Sequence, residues 1–167
     1  CPMLTTKEAI ERRRSIRKYK PDPIPDEYIN ALLDAARLAP SGSNAQPWRF
    51  KVVKDRESKL KLAQAAFNQP FIADAPVVFV CCADIKGYLD GTVSGLQDIG
   101  KIGAIEDRIV KIILNRNEKM KTMRIEDIGP RIAINIGVAV ENIVLRAVDF
   151  GIGSCWVRLI DDQMIRD

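Results

Sequence analysis

The chain contains no histidine. That absence removes His-based catalytic triads and zinc fingers at once. Cysteine is scarce as well: Cys1, Cys81, Cys82 and Cys155 are the four, and no two are spaced as CxxC. The reading therefore predicts no metal site. Cys81 and Cys82 are adjacent in a strand-like run, so their side chains point to opposite faces and suit no ordinary disulfide. This cysteine usage fits a reducing cytoplasm. Cys1 is read as a processing boundary rather than a lipidation site. None of the apolar runs approaches the ~18 residues of a membrane span, and the start carries no signal-peptide pattern. No membrane partner is expected. Aromatic residues make up only 6% of the chain. Six basic residues crowd into positions 12 to 20, yet only Tyr19 is interleaved with them and the net charge is a modest +4. A nucleic-acid partner is therefore not expected either.

What is present describes a globular chain of 167 residues, 47% apolar and 29% charged, read as one domain over 1–167. Thr5-Thr6-Lys7-Glu8 has the spacing of a capping box, so a helix should run to about Arg14. Pro21, Pro23 and Pro25 forbid a helix in the segment that follows. Asp26 is expected to cap a second helix whose apolar face is Ile29, Leu32, Leu33, Ala36 and Ala39, with Pro40 stopping it. Trp48 to Val53 alternates like a half-exposed strand. Asp55 should cap a third helix with Leu60, Ala63 and Phe67 on one side. Ala75 to Ala83 is apolar throughout and predicts a strand buried on both faces.

In 84–126, five glycines (Gly87, Gly91, Gly95, Gly100, Gly103) are expected to break the first half. Ile105, Ile109, Ile112 and Ile113 suggest a helix after them. From about Glu126 a long helix is predicted, with Pro130 in its first turn and Gly151 ending it in the left-handed conformation. Cys155 to Ile160 reads as a final strand, after which Asp161 can cap one more helix. Long helices outnumber three or four strands, and the order is not a regular β-α alternation. The fold class is α+β.

The most informative stretch is Leu38 to Phe50. It sets two prolines, a glycine, two serines, Asn44 and Gln46 between a periodic helix and a strand, more hydrogen-bonding capacity than a simple turn needs. Gly151-x-Gly153 follows a helix and precedes a strand, the reverse of a dinucleotide-binding fingerprint, so that reading is rejected.

Four blocks together resemble the nitroreductase family of FMN-dependent oxidoreductases: Arg13-Arg14-Ser15-Ile16-Arg17-Lys18-Tyr19, Ala39 to Trp48, Ala75-Pro76-Val77-Val78, and Gly151 to Trp156. The resemblance implies a central mixed β-sheet flanked by long helices, in a homodimer with FMN at the interface. It implies that Arg13, Arg14 and Ser15 hold the phosphate and ribityl end, with Arg17 nearer the ring's N1 and O2. It places an amide, Asn68 or Gln69, on the pyrimidine edge, and backbone from Trp156, Val157, Arg158 and Leu159 along N5 and O4. Many family members carry glycine where this chain has Arg158 and Leu159. Pro40, Ser41, Gly42 and Asn44 would reach the flavin held mainly by the other subunit. Residues 84–126 correspond to the family's variable insertion. The family's chain normally continues beyond the position of Asp167, so the C-terminal part of the fold is expected to be missing here.

The activity implied is electron transfer from NAD(P)H to nitroaromatic, quinone or related small-molecule acceptors by a ping-pong mechanism. No side chain need be a nucleophile, and the proton would come from solvent. Two alternatives are an FMN-binding sensor or carrier without turnover, and a flavin-destructase or dehalogenase branch of the same superfamily.

Overall fold

A computed structural model describes residues 4–166; Cys1, and Asp167 with the question of how the chain ends, lie outside the described residues. The chain forms helices α1 (Thr6–Arg12), α2 (Asp26–Arg37), α3 (Arg56–Ala65), α4 (Pro70–Asp74), α5 (Ile85–Lys101), α6 (Asp107–Met120), α7 (Ile125–Asp149) and α8 (Asp162–Arg166). Strands β1 (Trp48–Val53) and β2 (Val78–Ala83) pair into a two-stranded sheet. Helices with a small sheet make the class α+β, as expected.

Local chemistry explains most helix ends. Thr5 and Glu8 form the full capping box, the Thr5 hydroxyl accepting from the Glu8 N–H while the Glu8 carboxylate accepts from the Thr5 N–H. Asp55 accepts from the Ser58 N–H at the start of α3, and Asp161 from the Gln163 and Met164 N–H groups at the start of α8. Asp26 departs from expectation. It is the first residue of α2, its carboxylate pairs with Lys54, and the Pro25 carbonyl takes the first helical hydrogen bonds. Gly151, at φ +68°, ends α7 as predicted. The Gly151 N–H reaches the Val148 carbonyl and the Ile152 N–H reaches Ala147, the paired bonds of a Schellman motif. Pro130 sits in the second turn of α7, not the first.

The packing divides the chain into two compact units. The first comprises residues 1–35, 50–80 and 141–167. Its core is Ala63, Ala66, Ile72 and Ala73, with Leu62, Phe71, Val78, Val157 and Ile160 packed against them. Tyr28 stacks on Phe150 at 4.3 Å between centroids, and the Arg146 guanidinium lies 4.7 Å from the same Phe150 ring. The predicted apolar side of α3 is only partly right. Ala63 is buried, but Leu60 is exposed and Phe67 falls beyond the helix end, with Lys59 and Ala66 inside instead.

The second unit comprises residues 36–49 and 81–140. Its core is Met120, Ile128 and Ile132, with Ile85, Tyr88, Leu89 and Met123 around them. Here the glycines do not break the chain: Gly87, Gly91 and Gly95 lie inside the 17-residue α5. At Gly91 and Gly95 the loss of helix propensity, roughly 1 kcal/mol per glycine, is offset by a close approach of a neighbouring backbone that only glycine allows.

Two strand expectations are not met. Cys81, Cys82 and Ala83 at the end of β2 are exposed, so the strand is not buried on both faces. Residues 155–160 form no ladder, and their burial alternates only as far as Arg158, Leu159 being exposed as well; the parallel bridge Ser15–Ser154 precedes them. Among the described residues the sheet is two strands and a bridge, smaller than the three or four strands expected. By length and composition α7 could cross a membrane, which the absence of one long apolar run had argued against. Its Ile128, Ile132, Ile136, Ala139, Ile143, Val144 and Ala147 are buried in the protein.

Candidate functional site

In the first unit, α1 ends because Arg13 leaves the helical region at ψ 132° while its N–H still bonds the Ala9 carbonyl. The chain then runs extended as an arm. The Ile16 N–H donates to the Ser154 carbonyl at 2.9 Å, closing the bridge that sets Ser15 beside Ser154. Gly153 makes that approach possible: a Cβ there would meet the Ile16 side chain at 2.8 Å. The two glycines of Gly151-x-Gly153 therefore have separate tasks, one ending α7 and one admitting the arm. The Tyr19 hydroxyl donates to the Ile16 carbonyl at 2.6 Å. Burial, and then proximity to Cys155, pushes the Tyr19 phenol up to about 12, with Arg17 opposing.

The side chains of the arm point to different tasks. Arg14 Nη1 donates to the Glu11 carbonyl at 2.8 Å and to its neighbour Arg13's at 2.7 Å, completing the end of α1. Arg13 lies 3.9 Å from Glu141, and Ser15 is exposed. The Arg17 guanidinium sits 5.8 Å from the Phe71 ring centroid. Phe71 is on α4, immediately after Asn68, Gln69 and Pro70, and it packs on the same core as Val157 and Ile160. Through Ser154 and Phe71 the structure thus gathers three expected segments: the arm, the Asn68/Gln69 turn and the 156–159 stretch. Asn68 is exposed at φ +58°, while the Gln69 amide donates internally to the Ala66 carbonyl at 2.9 Å. Trp156, Arg158 and Leu159 are exposed, and Val157 faces the core.

The loop of Pro40, Ser41, Gly42 and Asn44 belongs to the second unit. It forms a 3-10 turn at Gly42–Asn44, and Ser43, Asn44 and Gln46 have φ of +51°, +53° and +48°. Three left-handed non-glycine residues in four positions need support. The Gln46 N–H donates to the Ser41 hydroxyl at 2.9 Å, and the Gln46 side-chain amide to Asn44 at 3.0 Å. The Gly42 N–H donates to Oδ1 of the buried Asn135, whose own amide donates to the Ile132 carbonyl. Beneath the loop runs the glycine face of α5. A Cβ at Gly95 would lie 1.7 Å from the Ser43 carbonyl oxygen, and one at Gly91 would lie 2.7 Å from that of Ala45. The exit is fixed by Asp84, whose N–H donates to Pro47, whose carboxylate caps α5 at Gly87 and also pairs with Arg49 at 2.7 Å.

Sequence reasoning missed Asn135, Gly91, Gly95, Phe71 and Ile16 as supports. The signal for two of them was legible: glycines at 87, 91 and 95 recur every four residues, which puts them on one helix face.

The chain belongs to the nitroreductase family, whose model matches residues 10–167. It is 47% identical over 88 residues to an NADH dehydrogenase of Thermus thermophilus, covering 53% of this chain and 43% of that protein. Over 79 residues it is 36% identical to an FMN reductase (NAD(P)H) of Bacillus subtilis, covering 47% and 32%. A protein of Exiguobacterium sibiricum solved in complex with FMN superimposes with a TM-score of 0.73 at 26% identity, over 97% of this chain and 78% of that one. The chain spans about half or less of the length of these two curated relatives.

Proposed function

We propose that this protein is an FMN-dependent oxidoreductase that passes electrons from NAD(P)H to nitroaromatic, quinone or related small acceptors in a ping-pong cycle. The observation that carries the reading is the arm: Arg13, Arg14, Ser15 and Arg17 on one extended segment, bridged to Ser154 and leaning on Phe71 beside Asn68. The fit to a flavin phosphate rests on charge. Three of these four side chains are cationic, Ser15 adds an exposed hydroxyl, and Glu141 approaches Arg13 only to 3.9 Å. Arginine forks and a hydroxyl suit a dianionic phosphate.

In this reading Arg13, Arg14 and Ser15 bind the phosphate and ribityl end. Arg17, held over Phe71, faces the ring where reduction builds negative charge. Asn68 is the better candidate for the pyrimidine edge, because the amide of Gln69 is already engaged. Bound flavin supplies the two-electron chemistry; the protein binds, orients and shields. Pro40, Ser41, Gly42 and Asn44 complete the partner's site in a homodimer, and α5 and α6 of the variable insertion shape the acceptor pocket. A reducing cytoplasm suits the cysteine usage.

The test is direct. Purified protein should be yellow with one FMN per subunit and should oxidise NAD(P)H at steady state with menadione or a nitroarene. FAD, or no flavin after reconstitution, overturns the reading; FMN without turnover turns it into a sensor or carrier. For the shared site, Arg14→Glu and Asn44→Trp variants refolded together should recover up to about a quarter of wild-type activity, since half the dimers are mixed and half their sites intact.

A further inference from the structure

Among the described residues Lys59 is the only charged side chain that is buried, at 9% exposure. Its Nζ donates to the Ala75 carbonyl at 2.7 Å, and no carboxylate pairs with it among those residues. Nearby in sequence, the more exposed Lys54 is neutralised by Asp26. An ammonium has three donors. Here one is satisfied, by the Ala75 carbonyl, and the charge has no carboxylate partner among the described residues.

Both lysines line a cavity of about 300 Å³ together with Pro21, Pro23, Ile24, Ile29, Pro76 and Val77. It shares no residue with the arm, the Asn68 turn or the 156–159 stretch. The volume is at the low end for small-molecule sites. Three prolines make the walls stiff and remove backbone donors from them. The cavity therefore offers a cation without a carboxylate partner in a lining where polar surface alternates with the stiff apolar walls of three prolines, Ile24, Ile29 and Val77. The ligand that matches is compact, with one anionic group and a flat or branched apolar body. We infer that this cavity binds a small monocarboxylate, its carboxylate on Lys59 and its aryl or branched alkyl body against Pro21, Pro23 and Val77.

The inference does not depend on the flavin reading, and the test keeps the two apart. FMN-saturated, methyl-labelled protein is titrated with phenylacetate and, separately, with the neutral phenylacetamide. The expected result is saturable shifts at the Ile24, Ile29 and Val77 methyls with the acid and none with the amide. Lys59→Met should weaken the acid about tenfold or more, the loss of one charge-assisted contact. If that variant does not fold, Pro23→Trp at the exposed rim blocks the cavity with the lysine intact and should abolish the shifts. No saturable shift, equal binding of acid and amide, or shifts confined to Ile16 and Ile152 beside the arginine arm would each overturn the assignment.

Discussion

The arginine arm and the Pro40–Asn44 loop are built on opposite plans. The arm has little backbone support, a single bridge at Ser15–Ser154 and the Tyr19 hydrogen bond, and presents long cationic side chains to solvent. The loop is held from beneath by Asn135, Gly91, Gly95 and Asp84, and its shape resides in the backbone itself. A segment that works by charge can tolerate a mobile scaffold, because Coulomb attraction varies slowly with distance. A segment that works by shape cannot. Substitutions should therefore separate binding from folding: those in the arm change ligand affinity, those under the loop change stability first.

The sharpest way to break the contrast is Gly95→Ala. The new Cβ meets a backbone oxygen, which cannot rotate away, so the loop must move. We expect a loss of roughly 3 kcal/mol or more in urea unfolding, the upper end for overpacking. A change below 0.5 kcal/mol would show that α5 and the loop are not in such tight register. Next in size is Arg17→Ala, expected to weaken FMN by roughly 1.5–3 kcal/mol while leaving the unfolding midpoint nearly unchanged. Equal FMN affinity would make Arg17 a surface charge resting on Phe71. Asn135→Ala should cost about 1–2 kcal/mol of stability, because the Gly42 N–H loses its acceptor. Its effect on FMN should be indirect and follow the loop.

The smallest effect is Tyr19→Phe, and it tests the hydrogen bond that folds the arm on itself beside its bridge to Ser154. Below pH 9 the variant should be less stable by about 0.5–1.5 kcal/mol, the value of the lost hydrogen bond. The wild-type phenol is raised in the folded state to about 12, above its unfolded value near 10. Stability from that group is complete below the unfolded value and is lost as pH climbs through the folded one. The wild type should therefore lose ground between about pH 10 and 12, and the gap between the two proteins should narrow there. A gap that stays constant would mean the phenol is not shielded.

How far each region could be read from sequence follows the same division. Thr5, Glu8, Asp55, Asp161 and Gly151 were legible because capping depends on residues three or four positions away. The arm stood out because arginines carry their chemistry in their side chains, and its extended course was legible from the prolines that follow it. The loop was legible as unusual, but not its supports: Asn135 lies 93 residues from Gly42, and no local pattern joins them. The glycines of α5 misled because a propensity rule describes an isolated helix, whereas these positions answer to a neighbouring backbone. Residues 155–160 misled because strand-like composition is local, whereas a ladder also needs a partner strand. Pro130 showed that a proline near a helix start need not lie within its first turn.

The left-handed residues of the loop have a consequence for how this region can drift. Ser43, Asn44 and Gln46 occupy backbone that glycine would adopt with less strain, a difference of order 1 kcal/mol at such positions. Neutral change toward stability would therefore replace them with glycine one at a time. Each replacement would relax the chain and erase a hydroxyl or an amide. Deep mutational scanning under two selections, for abundance and for turnover, should rank these positions in opposite order: glycine enriched for abundance, and depleted for turnover wherever the lost group touches cofactor or acceptor.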